Sequence, residues 1–228
     1  QAIINRHQSY NKNNAHTEAP KLAHISTLIN ARVSDGNPLF AIHMAVEMQR
    51  CGSTLLLDIG KPNADTLLIL GLTAKFSLLD VINNRSRLDN TLIETGFAKH
   101  KSGLSILSLP DSLARHEVFS PTDLQLVLSS LKRHFQFIFI NFAGETDPEL
   151  LKIALGISSS SYLLMEQTIP SCKRNHEMIE NLRHQKIAFP ELHIVIDRHL
   201  PNTSPSPERI AKSFGLPLGC VLPSAGHF

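Results

Sequence analysis

The chain of 228 residues has no tryptophan, two tyrosines and three cysteines, and its aromatic content is 6%. Cys51, Cys172 and Cys220 share no C-x-x-C spacing, so neither a disulfide framework nor a zinc site is supported, and a reducing, cytoplasmic compartment is expected. No apolar run approaches the roughly 18–20 residues of a membrane span, and the start of the chain lacks the basic-then-apolar pattern of a leader. The 12 histidines show no H-E-x-x-H spacing, and His193 and His199 flank a strand and its loop; satisfied or solvated histidines are expected rather than metal ligands. A surplus of charge of one sign is missing too. A formal balance of +2 with scattered Lys and Arg forms no basic stripe, so no nucleic-acid partner is expected. Ser158 to Ser161 has no G-x-S-x-G elbow around it and reads as loop rather than nucleophile. The chain opens on Gln1 rather than methionine, which suggests a fragment or a processed product.

What remains is enough for one good core, with 42% hydrophobic and 18% charged residues. Residues 1–21 are polar and asparagine-rich and are expected to be a linker or arm, with one domain over 22–228. Within that domain, apolar runs predict strands at 24–29, 53–59, 104–109, 135–142, 162–165, 192–197 and 218–222. Apolar spacing and breakers between them predict helices at 64–72, 77–84, 88–100, 120–134, 147–155, 170–184 and 208–214. Ser120-Pro121-Thr122-Asp123 is a helix start, with Ser120 as N-cap and proline at the first helical position. The most hydrophobic run, FQFIFINF at 135–142, is expected at the centre. Strands alternating with helices predict an α/β fold with a doubly wound, mainly parallel sheet and right-handed crossovers.

The stretch at 24–50 heads this domain as a strand, a turn and an amphipathic helix from Phe40 onward, with Phe40, Met44 and Met48 on its buried side. Between strand and helix lies Arg32-Val33-Ser34-Asp35-Gly36-Asn37-Pro38-Leu39, where a phosphate loop G-x-x-x-x-G-K-[ST] would sit. Gly36 is the one glycine there. Asp35-Gly36 and Asn37-Pro38 read as turn chemistry.

These landmarks, in this order, resemble the ParA/MinD superfamily of deviant phosphate-loop ATPases, and within it the CpaE/TadZ branch of pilus assembly proteins. Leu55-Leu56-Leu57-Asp58 is similar to the family's second strand ending in an acid. Gly71-Leu72 with Ser77-Leu78-Leu79-Asp80, then Arg87-Leu88-Asp89 with Ser102-Gly103-Leu104-Ser105-Ile106-Leu107, resemble the branch's GL…SLxD and RLD…SGLxVL segments. The likeness covers about residues 25–223 and implies a ParA/MinD-like P-loop NTPase fold.

Laid on the family's K-G-G-x-G-K-[ST]-[ST] loop, Arg32 takes the place of the signature lysine and Val33 and Ser34 of two glycines, with Asp35 and Gly36 following. Asn37 replaces the phosphate-binding lysine, Pro38 the magnesium-holding hydroxyl and Leu39 the next residue. Asn141 stands for the aspartate ending the central strand, Asp197 for an asparagine near the adenine, and Asp58 keeps its acid. The pocket implied by the resemblance is therefore Arg32, Ser34, Asp35, Gly36, Asn37, Pro38, Asp58 and Asn141, with no catalytic residue and no metal ligand among them. Two charged contacts of ~1.5–3 kcal/mol each are missing, roughly 3–6 kcal/mol together, enough to turn a micromolar ATP site into a millimolar one. ATP with magnesium is accordingly expected to bind weakly or not at all.

The resemblance implies a scaffold and localisation factor for Tad-type (Flp) pilus assembly. It would act as a homodimer through the face around the loop, at the cytoplasmic side of the inner membrane or the cell pole. Its implied partners are the pilus assembly ATPase and inner-membrane platform proteins. The competing expectation is an active or nucleotide-binding positioning ATPase of the ParA/MinD class, using Arg32, Asp58 and backbone amides near Gly36.

Overall fold

The computed structural model describes residues 23–32, 36–61, 65–84, 88–110, 119–189 and 191–224. The expected arm at 1–21 lies outside them. In chain order the elements are β1 (His24–Asn30), α1 (Gly36–Met48), β2 (Thr54–Asp58), α2 (Asp65–Leu70), α3 (Leu78–Asn83) and α4 (Asn90–Gly96). Then come β3 (Ala98–Lys99), β4 (Ser105–Ser108), α5 (Pro121–Leu131), β5 (Phe137–Ala143), α6 (Pro148–Ile157) and β6 (Ser160–Glu166). The chain continues through α7 (Ile169–His184), β7 (Leu192–His199), α8 (Pro207–Phe214) and β8 (Leu218–Pro223).

Eight strands form one sheet in the order β3-β4-β2-β5-β1-β6-β7-β8. Every neighbouring pair is parallel except β3 with β4. The expected mainly parallel sheet is observed, with the FQFIFINF strand near its middle. A sheet covered on both faces needs strands apolar on both sides, and the alternation of side chains divides them between two cores. Ile25, Leu55, Leu57, Ile138, Ile140, Phe142, Leu163 and Ile194 point to one face, under α3 and α5 to α8. Leu28, Leu56, Phe137, Phe139, Tyr162, Leu164 and Val195 point to the other, under Phe40, Ala41, Met44, Ala45 and Met48 of α1.

Local chemistry sets the element ends. Ser120 caps α5 by accepting from the Asp123 amide while Asp123 accepts from the Ser120 amide, and Pro121 follows at the position where its missing N–H is not needed. Gly215 ends α8 at φ 62, a left-handed cap that glycine adopts without strain.

Two expectations need correction. The helix expected over 88–100 covers Asn90–Gly96 and is followed by β3, which pairs antiparallel with β4, Ala98 opposite Ile106 and Lys99 opposite Ser105. The reversal is built at Lys101-Ser102-Gly103, where His100 N donates to Leu104 O and Gly103 takes φ 91; a two-residue strand is too short to show a period. Secondly, α1 begins at Gly36, four residues before Phe40, so Asn37-Pro38 is a first helical turn and not a separate turn. Proline is tolerated there because amides of the first turn have no intrahelical acceptor.

Candidate functional site

The carboxyl ends of β1, β2 and β5 meet at the middle of the sheet, where parallel α/β sheets gather their functional groups. Three asparagines organise the β1 side. Asn30, the last residue of β1, donates through Nδ2 to Asn37 Oδ1 at 2.9 Å and accepts at Oδ1 from the Arg32 amide at 3.0 Å. The next amide, Ala31 N, donates to Asn175 Oδ1 of α7 at 2.9 Å. Asn175 in turn donates to Ser171 O at 2.9 Å, and Ser171 Oγ accepts from the Glu166 amide at 3.1 Å. The chain leaving β1 is thus tied to the first turns of both α1 and α7. Asn37 is fully buried, and its Nδ2 has no acceptor among the described residues. Arg32 is exposed, and Pro38 is buried.

Asp58 ends β2 and lies opposite Asn141 in the parallel register with β5. It is 1% exposed. Oδ1 accepts from Asn141 Nδ2 at 2.8 Å and from the Gly60 amide at 3.1 Å, and Oδ2 accepts from the Thr66 amide at 3.2 Å. Asn141 Oδ1 accepts from the Ala143 amide at 3.2 Å. A side chain on Gly60 has no room, since a Cβ there would come within 2.7 Å of Asn141 Nδ2. A buried carboxylate is costly unless donors surround it, and here three amide donors do. Thr66 Oγ1 beside it is buried without a partner among the described residues.

Of the sequence-derived pocket, Arg32, Gly36, Asn37, Pro38, Asp58 and Asn141 lie around these strand ends, and Asp58 and Asn141 are in direct contact. Ser34 and Asp35 lie outside the described residues, as does Val33. Asp197 sits two residues before the end of β7, opposite Glu166 of β6, and Arg198 approaches both carboxylates at 3.7 Å. Sequence reasoning missed Asn175 and Thr66. A signal existed for Asn175: it falls at helical spacing within the buried stripe Ser171, Met178, Ile179 and Leu182 of α7, where a polar residue needs a partner.

Other candidates are structural. His193 Nδ1 meets the Glu191 carbonyl and His199 Nδ1 meets Gln167 Oε1. Ser160 and Ser161 belong to β6 and not to a loop, with Ser160 Oγ 3.0 Å from Ser26 Oγ and 3.4 Å from His24 Nε2. Burial holds His24 down at about 4, well below the usual histidine range. Burial also pushes the Cys172 and Cys220 thiols up, away from thiolate chemistry. No described helix is long and apolar enough to cross a membrane.

No family model matches the chain. The septum site-determining protein MinD of Thermotoga maritima is 22% identical over 171 residues, which span 73% of this chain and 61% of that protein. A ParA family ATPase from Chlorobium tepidum superposes with a TM-score of 0.79 at 18% identity, over 89% of this chain and 84% of that one. MinD in the MinC:MinD cell division complex of Aquifex aeolicus gives 0.73 at 15% identity, over 90% and 82%. The eight-stranded sheet built around β1, β2 and β5 is therefore the α/β fold of the ParA/MinD ATPase structures.

Proposed function

We propose that this protein is a positioning scaffold of the ParA/MinD kind that works as a homodimer without hydrolysing ATP. The observation behind this reading is the buried Asp58 carboxylate, which accepts from Asn141, Gly60 and Thr66 within the chain. A triphosphate with magnesium needs a cation at the phosphates and oxygen ligands at the metal. Asn37 offers an uncharged amide whose oxygen accepts from Asn30, Pro38 has neither hydroxyl nor N–H, and Asp58 already accepts three hydrogen bonds within the chain. These residues do not fit that group, which supports reading the loop as a degenerate Walker A. On the resemblance of its Arg87-Leu88-Asp89 and Ser102 to Leu107 segments to CpaE/TadZ proteins, the machine it positions is a Tad-type pilus. Its partners are then the assembly ATPase and inner-membrane platform proteins, met at the cytoplasmic side of the membrane or the cell pole.

A second reading, a nucleotide-binding positioning ATPase, has its own support. The similar proteins are named ParA family ATPase and MinD, and Asn37 Nδ2 and Thr66 Oγ1 are buried polar atoms lacking partners among the described residues. Calorimetric titration of ATP with and without magnesium separates the two. Under the scaffold reading the wild type gives no heat below millimolar ATP, whereas Asn37→Lys with Pro38→Ser gains measurable binding. Micromolar, magnesium-dependent binding by the wild type establishes the second reading instead.

A further inference from the structure

Strand β8 forms one border of the sheet and pairs with β7 alone among the described residues. Native sheets blunt such borders with charge, proline or very short strands. β3 does so at the other border, with two residues that include Lys99. β8 does not: residues 218–222 read LGCVL, and Pro223 ends the strand. Alone among the described strands, β8 has no buried residue. Leu218 and Val221 pack half-covered against one core, and Cys220 and Leu222 against the other. A strand left half-covered on both faces, with a row of outward N–H and C=O groups, is a template for one further strand.

The chain itself carries a segment for that place. Within the polar arm ahead of β1, the aliphatic residues cluster at Ala2-Ile3-Ile4, and isoleucine suits a pleated, half-buried surface. Strands β1, β6, β7 and β8 run parallel, so the arm joins β1 at the end of the sheet where β8 also begins. β8 is three strands away from β1, roughly 15 Å at about 4.8 Å per strand. Residues 5–22, as a flexible tether, have a root-mean-square span of roughly 21–25 Å. The tether therefore matches the gap and holds the segment near β8 at an effective concentration on the order of millimolar. A second copy at micromolar concentration competes poorly with it. We propose that Ala2-Ile3-Ile4 of the same chain adds to β8 as a further, antiparallel strand. The antiparallel direction leaves the end of the added strand at the amino end of the sheet, where the connection to β1 starts. Alternation then sets Ile3 over one face and Ala2 and Ile4 over the other, extending both cores past β8.

Hydrogen exchange of the whole chain tests it, read at the amides of β8 and, as a control on folding, at those of β5. Ile3→Pro/Ile4→Pro keeps the length of the arm and removes two donors from the added strand. The β8 amides of the wild type are expected to exchange at least about tenfold slower than those of this variant, because they open only when the arm leaves. Exchange in β5 is expected to be the same in both. Ile3→Val/Ile4→Val, which keeps the strand-forming side chains, should retain the protection of β8 to within about threefold. Equal exchange of β8 in the wild type and the proline variant overturns the proposal. Protection of β8 that fades on dilution of the wild type overturns it too, since the border then belongs to a second copy. Neither ATP nor magnesium enters this measurement, so its outcome is separate from that of the calorimetric titration.

Discussion

Asp58 and helix α2, seven residues further along, use their chemistry in opposite ways. The acid is a charge placed where water cannot reach, yet donors from Asn141, Gly60 and Thr66 surround it. The helix is aliphatic, and its Leu68 and Ile69 lie where water reaches them. One region is satisfied within the chain and the other is not. The contrast separates what holds the domain together from what is left for contact.

The sharpest way to break the contrast is to remove the acid. Asp58→Ala leaves Asn141 Nδ2 and two backbone amides buried without an acceptor, and a loss of about 3–5 kcal/mol is expected in urea unfolding. A change under 1 kcal/mol would mean that water replaces the carboxylate and that the centre is open after all. At the amino end of the sheet, His24 has a folded pKa of about 4 against an ordinary 6.5. The unfolded chain therefore binds the proton more readily. Its contribution is present in full above pH 6.5 and is lost as pH falls toward about 4, by up to about 3 kcal/mol. His24→Phe should flatten that part of the Tm against pH curve.

Asn175→Ala removes the acceptor of the Ala31 amide, and a loss of about 1–2 kcal/mol is expected, with faster hydrogen exchange at Ala31 as the local readout. The smallest effect belongs to α2. Leu68→Ser should alter the stability of the monomer by no more than about 0.5 kcal/mol. A larger loss would show that this leucine belongs to the core and that the two regions do not differ as described.

Most of the fold was legible because buried parallel strands are written as short apolar runs between breakers, as in LLLD at the end of β2 and FIFINF in β5. Strand β3 was not, because two residues carry no pattern and its pairing depends on a turn at Gly103. The start of α1 was obscured by Gly36, Asn37 and Pro38, all poor helix formers that a first turn accepts. At the candidate site the residues could be named from the chain, but not their bonds. Asp58 and Asn141 are 83 positions apart, and the register of β2 on β5 alone brings them together. Asn175 and Thr66 entered the site through tertiary packing, and no short motif announces either.

The reversed strand β3 also bears on how copies of this protein can accumulate. Open-ended polymerisation by lateral strand addition needs an extended, compatible border on each side of the sheet, so that each added subunit regenerates the template it used. Among the described residues β8 offers six residues at one border, whereas the other ends in two residues running against the parallel strands. Lateral joining of two β8 borders would stop at a pair.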